Sequence, residues 1–354
     1  MSRPLAHTRR GFTLIELLVV IAVIALLVGI LLPSLSGARN EARTIKCAAS
    51  MRSVSVAVQI YTTDYKYYPA SYLYAASESG YDWRLDEQQG SGALQGYIHW
   101  SHFLYENGNV SGEAFQCPSV PKGGAPRTNP GENVDDWEDG QTNDLGGKAG
   151  AAAPKDRQVA RIAFAGNDAV MPRNKFKPQG GTKRINRFVN PSEIDSTASG
   201  AGKTILGTEF FYLSGWRSLQ TTDGTSGDSS IKSHRPITPF VSRGAKPSLA
   251  IEEPNNGSIP RYFYPDIGRL KRQDEMDPQG GQIDDNKTIL NAVGRHHPGA
   301  SAGYGGSANF VFVDGHVSRM NVAESLTKRL WGDKFFSITG QNNNNRVDPM
   351  IVLE

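Results

Sequence analysis

The chain has 354 residues, 38% hydrophobic and 21% charged, with 38 Lys and Arg against 35 Asp and Glu. This composition excludes a disordered polyelectrolyte and a multispanning membrane protein, and the length supports a globular body with a real core. Two cysteines exclude a disulfide framework and a four-cysteine zinc site, while 38 Gly and 20 Pro favour a loop-rich exported body over a compact helical one.

Residues 12–32, FTLIELLVVIAVIALLVGILL, hold a single ionisable side chain, Glu16. As a helix this stretch is about 31 Å long, which matches the ~30 Å hydrocarbon core of a bilayer. Arg9 and Arg10 precede it, so the positive-inside bias holds residues 1–10 in the cytoplasm and sends the body after Pro33 across the membrane. A plain signal anchor explains the apolar run and the arginines but not Glu16. A secretory signal peptide cut after Ser36-Gly37-Ala38 leaves Glu16 unexplained too, and twin-arginine signals built on a pair such as Arg9-Arg10 are usually less hydrophobic than this.

The string RRGFTLIELLVVIAVIALLVGILLP resembles the class III leader of type IV pilins and type II secretion pseudopilins, with a short basic leader, Gly11, Phe12 and then Glu16. The resemblance implies cleavage between Gly11 and Phe12 by a prepilin peptidase that also N-methylates Phe12. It further implies that Glu16 pairs with the Phe12 ammonium of a neighbouring pilin or pseudopilin subunit in a filament. The physics is compatible, because a carboxylate in the first turn lies at the positive end of the helix dipole. Removal of residues 1–11 takes away three arginines and no acid, so the mature side chains balance. The net charge of +3 therefore reports a topology signal and gives no support to a nucleic-acid partner.

Pro33 stands where many pilins have a helix-kinking proline. From 34 to about 63 the chain has no proline, and Leu35, Ala38, Ala42, Ile45 and Ala49 recur at helical steps. Cys47, Met51, Val54, Val58 and Tyr61 form a neighbouring stripe, and together the two predict a broad apolar face. The family would pack that face on a small antiparallel sheet. Asp64 to Pro69 ends the helix in a tyrosine cluster. KCAASMRSVSVAVQIYTTDYKYYP and the later AFQCPS are similar to a pseudopilin branch common in planctomycete-type bacteria. In the oxidising compartment so implied, Cys47 and Cys117 form either one disulfide closing a long loop or two free thiols.

Residues 119–158 read as loop, and Asp135, Asp136, Glu138 and Asp139 crowd it. Calcium is the candidate ion for Asp135, Asp136 and Asp139, but EF-hand spacing is absent and a solvated acidic loop is the expectation. Strands are predicted at 161–165 and 203–212, with insertions around 170–200 and 215–290. ANFVFVDGHVSRM, 308–320, predicts a hairpin with a two-residue type I′ turn at Asp314-Gly315. With Arg295-His296-His297 upstream, it resembles the H-x9-D-G prepilin signature of the same branch. The motif positions are His297, Asn309, Asp314, Gly315 and His316, with 16 residues instead of nine between His297 and Asp314. A metal on His296, His297, Asp314 and His316 is set below structural hydrogen bonding. His99 and His102, with Glu106, are read as helix-surface residues.

The segment TASGAGKT, 197–204, lacks the first glycine of a phosphate loop and leads into a strand, and neither a nucleophile elbow nor a dinucleotide fingerprint is present. The fold expected is α+β. A long N-terminal helix, transmembrane over 12–32 and soluble over 33–63, packs on an antiparallel β-sheet within a body of 64–354 that has long loop insertions and a C-terminal β-hairpin. The function expected is that of a structural, non-enzymatic subunit without a cofactor, anchored in inner-membrane lipid. A membrane-tethered binding module and an exported hydrolase are the alternatives.

Overall fold

The computed structural model describes residues 13–75, 96–150, 154–172, 188–210, 212–213, 216–217, 220–222, 229–242, 262–276, 289–301, 303–335 and 345–353. The processing positions Gly11 and Phe12 lie outside them. Helix α1, Leu14–Tyr65, runs through Pro33. It starts at a capping box. The Glu16 carboxylate accepts hydrogen bonds from the backbone N–H and the hydroxyl of Thr13, both at 2.9 Å, and the Thr13 hydroxyl accepts from Glu16 N. The helix ends where Lys66 turns to φ 67°, its N–H still reaching Thr62 O.

By compactness the chain divides after Ala42. In residues 14–42 the apolar side chains face outward, Leu14, Ile21 and Leu31 among them, and the helix is long and apolar enough to cross a membrane. In the second unit only one of the two predicted stripes is buried: Cys47, Met51, Val54, Val58 and Tyr61. Leu35 and Ile45 are exposed, so the broad apolar face is narrower than its periodicity suggested. A 3.6-residue period cannot separate a stripe that packs on its own sheet from one that packs elsewhere.

The buried stripe meets an antiparallel sheet made of β1 (Phe164–Gly166), β2 (Ile205–Glu209), β3 (His297–Ser301), β4 (Gly305–Phe312) and β5 (Val317–Met320). β4 is central, pairing with β2, β3 and β5, while β1 lies on the far side of β2. Its residues 307–312 are all buried, because both faces are covered. Val311 lines a hollow with Met51, Val54 and Val58, and Phe310 meets the buried Trp331 edge-on at 6.0 Å. Each of these apolar side chains contributes about 1.5–3 kcal/mol on burial. The antiparallel sheet and C-terminal hairpin were expected. Parallel pairs outside this sheet, 141–142 with 229–230 and 262–265 with 345–353, were not.

Two predicted details change. The strand expected at 203–212 is shorter, since Ala201–Lys203 forms a 3-10 turn and β2 begins at Ile205. The hairpin turn is not type I′, which requires positive φ at both central residues, whereas only Gly315 has it, at 91°. Gly315 N bonds Phe312 O and Phe312 N bonds His316 O, so Val313, Asp314 and Gly315 form a three-residue loop. The Asp314 carboxylate accepts from His316 N at 3.1 Å, which favours this geometry. A Cβ at 315 would also displace the Gln59 amide, 2.6 Å away, because this turn lies on α1.

Candidate functional site

Four elements of the second unit bring polar side chains to one buried point between α1 and the sheet. Thr44 comes from α1, Glu209 from the end of β2, His297 from the start of β3 and Asn309 from β4, and all are buried. His297 Nδ1 lies 3.0 Å from Thr44 Oγ1, and its Nε2 lies 2.8 Å from Glu209 Oε1. Asn309 donates its backbone N–H to Glu209 Oε2 at 2.8 Å. Its side-chain amide donates to Thr44 O at 3.2 Å and to Glu209 Oε1 at 3.3 Å. Helix and sheet are therefore clamped together through hydrogen bonds as well as apolar contact. Close backbone approach helps: a Cβ on Gly306 would meet His297 O at 2.3 Å.

Against this clamp lies a disulfide between Cys47 and Cys117, 70 residues apart in sequence, with both residues fully buried. His296 Nε2 is 3.7 Å and His297 Nε2 3.9 Å from Cys117 Sγ. His296 Nε2 is also 3.7 Å from Glu209 Oε2. A carboxylate can only accept, so His297 carries its proton on Nε2 and its Nδ1 accepts from the Thr44 hydroxyl when the ring is neutral. Burial alone would raise the Glu209 pKa, but the neighbouring imidazoles of His296 and His297 outweigh it and hold the carboxyl at about 2. Glu209 is thus a satisfied buried anion.

A second wholly buried carboxylate behaves in the opposite way. Asp156 accepts from Asn129 N, Asn129 Nδ2 and Tyr97 N, each at 2.8 Å, with no imidazole among these donors. Burial dominates and pushes it up to about 6 despite those three donors.

The signature positions separate into two places. His297 and Asn309 belong to the buried clamp, whereas Asp314 and His316 pair with each other on a half-exposed turn, Nδ1 to Oδ1 at 2.6 Å. The His-to-Asp separation along the chain therefore sets no common site. His316 also stacks on Phe312, ring centroids 4.1 Å apart. His99 corrects the helix-surface reading. It is buried and caps the short helix Trp100–Tyr105, accepting from Ser101 N, and burial first, with His102 second, pushes it down to about 3. His102 does lie toward Glu106, at 3.9 Å.

The acidic loop is dispersed. Asp136 lies 3.3 Å from Lys155 and 4.0 Å from Arg127, Asp135 is exposed beside Asn133, and Asp139 is exposed. Among the described residues, the group with metal-ligand character is instead Cys47, Cys117, Glu209 and His297. Glu209 and Thr44 were missed in the sequence. An acid within the otherwise apolar run ILGTEFF was the available signal, and Thr13-Leu14-Ile15-Glu16 is itself a legible capping box.

A family model described as "Protein of unknown function (DUF1559)" matches residues 36–326. The chain belongs to this family. A second model, "Prokaryotic N-terminal methylation motif", matches residues 7–32 of this DUF1559 chain. Over 65 residues, 18% of the chain, it is 32% identical to the type II secretion system core protein G of Pectobacterium carotovorum subsp. carotovorum, and it spans 42% of that protein's length. No solved structure matches the chain. The methylation motif and this relative make it a pseudopilin-like protein with a membrane-anchoring N-terminal helix.

Proposed function

We propose that the chain is a structural prepilin or pseudopilin, cleaved between Gly11 and Phe12 and N-methylated at Phe12 by a prepilin peptidase. Residues 12–32 hold it in the inner membrane with the body outside the cytoplasm. There it assembles with other pilin or pseudopilin subunits in a type II secretion or type IV pilus-like filament. A body of this size suits a minor or specialised subunit better than a densely repeated one. The observation that carries the reading is the methylation motif over 7–32, with Glu16 as the one ionisable side chain of the apolar run.

Glu16 already has a local role in the capping box, so an assembly test must separate charge from cap. Glutamine at the third helical position preserves that cap but removes the charge. Incorporation of Glu16→Gln and Glu16→Ala into filaments, measured by shearing and immunoblot, makes the distinction. Loss of assembly in both supports pairing with a neighbouring ammonium. Normal assembly of Glu16→Gln refutes that pairing and leaves the anchor role, with a membrane-tethered binding module as the remaining reading.

A further inference from the structure

The clamp and the disulfide share one buried volume, and their donor atoms are those of a soft-metal site. Cys47 Sγ, Cys117 Sγ, a carboxylate oxygen of Glu209 and a ring nitrogen of His297 all lie within 4.8 Å of one another, and all four residues are buried. We propose that in the dithiol state these four side chains bind one zinc-class divalent ion, so that the same cluster has two closed forms, disulfide and metal-bound.

Three observations support the site. The four donors come from four segments, α1, the 117–123 turn, β2 and β3, each fixed by its own backbone bonding, so the set is assembled by the fold. Both non-sulfur donors are held from behind: Thr44 Oγ1 occupies His297 Nδ1, and Asn309 N occupies Glu209 Oε2. His297 Nε2, 3.9 Å from Cys117 Sγ, now donates to Glu209 Oε1. Metal binding replaces that bond, the imidazole proton moving to Nδ1, where Thr44 Oγ1 becomes its acceptor, the outer-shell arrangement that orients metal ligands. His296 also sits against the cluster with Nε2 3.7 Å from Cys117 Sγ, while its buried Nδ1 has no hydrogen-bond partner among the described residues.

The donor types choose the ion. Two thiolates, an imidazole and one carboxylate suit tetrahedral zinc, whereas calcium takes six to eight oxygens. The balance is simple. A chain not yet oxidised presents two thiols, and binding M²⁺ forms two metal–sulfur bonds and releases two protons. Starting from the disulfide, a dithiol or phosphine reductant must first supply two electrons, and two protons are taken up. Oxidation by a disulfide-donating oxidase removes two electrons, forms the S–S bond and expels the ion. The metal form would hold α1 on the sheet in newly exported chain before the disulfide closes.

The test uses full-chain protein in detergent, demetallated and prepared either oxidised or reduced with a phosphine. Zinc is added, excess is removed by gel filtration, and metal per chain is counted by mass spectrometry, with cobalt as spectroscopic probe. The expected result is one zinc per reduced chain and none per oxidised chain, with tetrahedral cobalt bands and a thiolate charge-transfer band. Glu209→Gln and His297→Gln should each weaken zinc binding at least tenfold. No uptake by the reduced chain, equal uptake in both states, or uptake indifferent to both substitutions would overturn the proposal. The last result would mean adventitious binding to the two thiols alone, and the cobalt spectrum of the wild-type chain decides the matter should either variant fail to fold.

Discussion

Glu16 and Glu209 are carboxylates in apolar surroundings, and the chain treats them differently. Glu209 is buried and bonded by groups from two other strands, with His297 and Asn309 satisfying its oxygens. Glu16 stands on a helix half whose leucines, valines and isoleucines all point outward, and its hydrogen bonds come from Thr13 alone. The same contrast runs along α1, where Met51, Val54 and Val58 are buried while Leu14 to Leu35 are exposed. A surface completed inside the chain belongs to folding. A surface the chain leaves open belongs to its surroundings, lipid or another subunit.

The sharpest way to break this contrast is at the clamp. Glu209→Ala strands the buried donors of His297 and Asn309, and the body should lose about 3–5 kcal/mol, read by denaturant unfolding of the full chain in detergent. A loss below 1 kcal/mol would mean that the clamp is incidental. The double substitution Cys47→Ser and Cys117→Ser opens a link between residues 70 apart and should cost up to about 4 kcal/mol in the same assay. Wild-type stability in that variant would assign the work to the apolar stripe alone.

A smaller effect is expected from pH. Asp156 has a folded value of about 6 against an ordinary 3.8, so the folded chain keeps a proton that the unfolded chain releases. Its contribution to stability is therefore present below pH 4 and falls as pH rises from about 4 to about 6, by up to roughly 3 kcal/mol. Asp156→Asn should flatten that slope in thermal melts across the window, and an unchanged slope would point to another group. The smallest effect is expected at the other end of the contrast. Glu16→Gln should leave the unfolding midpoint of the body unchanged, and a measurable shift would show that Glu16 serves folding after all.

Periodicity and motif carried much of the fold. The apolar run, the long helix to about residue 63 and the C-terminal hairpin were legible because their signals are local. What stayed hidden was pairing between distant residues. His297 and Asn309 stood out in the sequence, yet Glu209 and Thr44 did not, because a single Glu or Thr is an ordinary residue until a fold brings a histidine to it. Ile45 and Met51 fit the same helical period, and only the sheet decides which of them is covered. The acidic loop reads as solvated in the sequence, and its aspartates do lie apart, Asp136 toward Arg127 and Lys155 and Asp135 exposed beside Asn133.

The central claim, that the open half of α1 belongs to a processed filament subunit, is tested most directly by the N-terminal mass of the protein extracted from membranes. The account predicts a chain beginning at N-methylated Phe12. A chain that begins at Met1, or at Arg39 after cleavage by a signal peptidase, would contradict it.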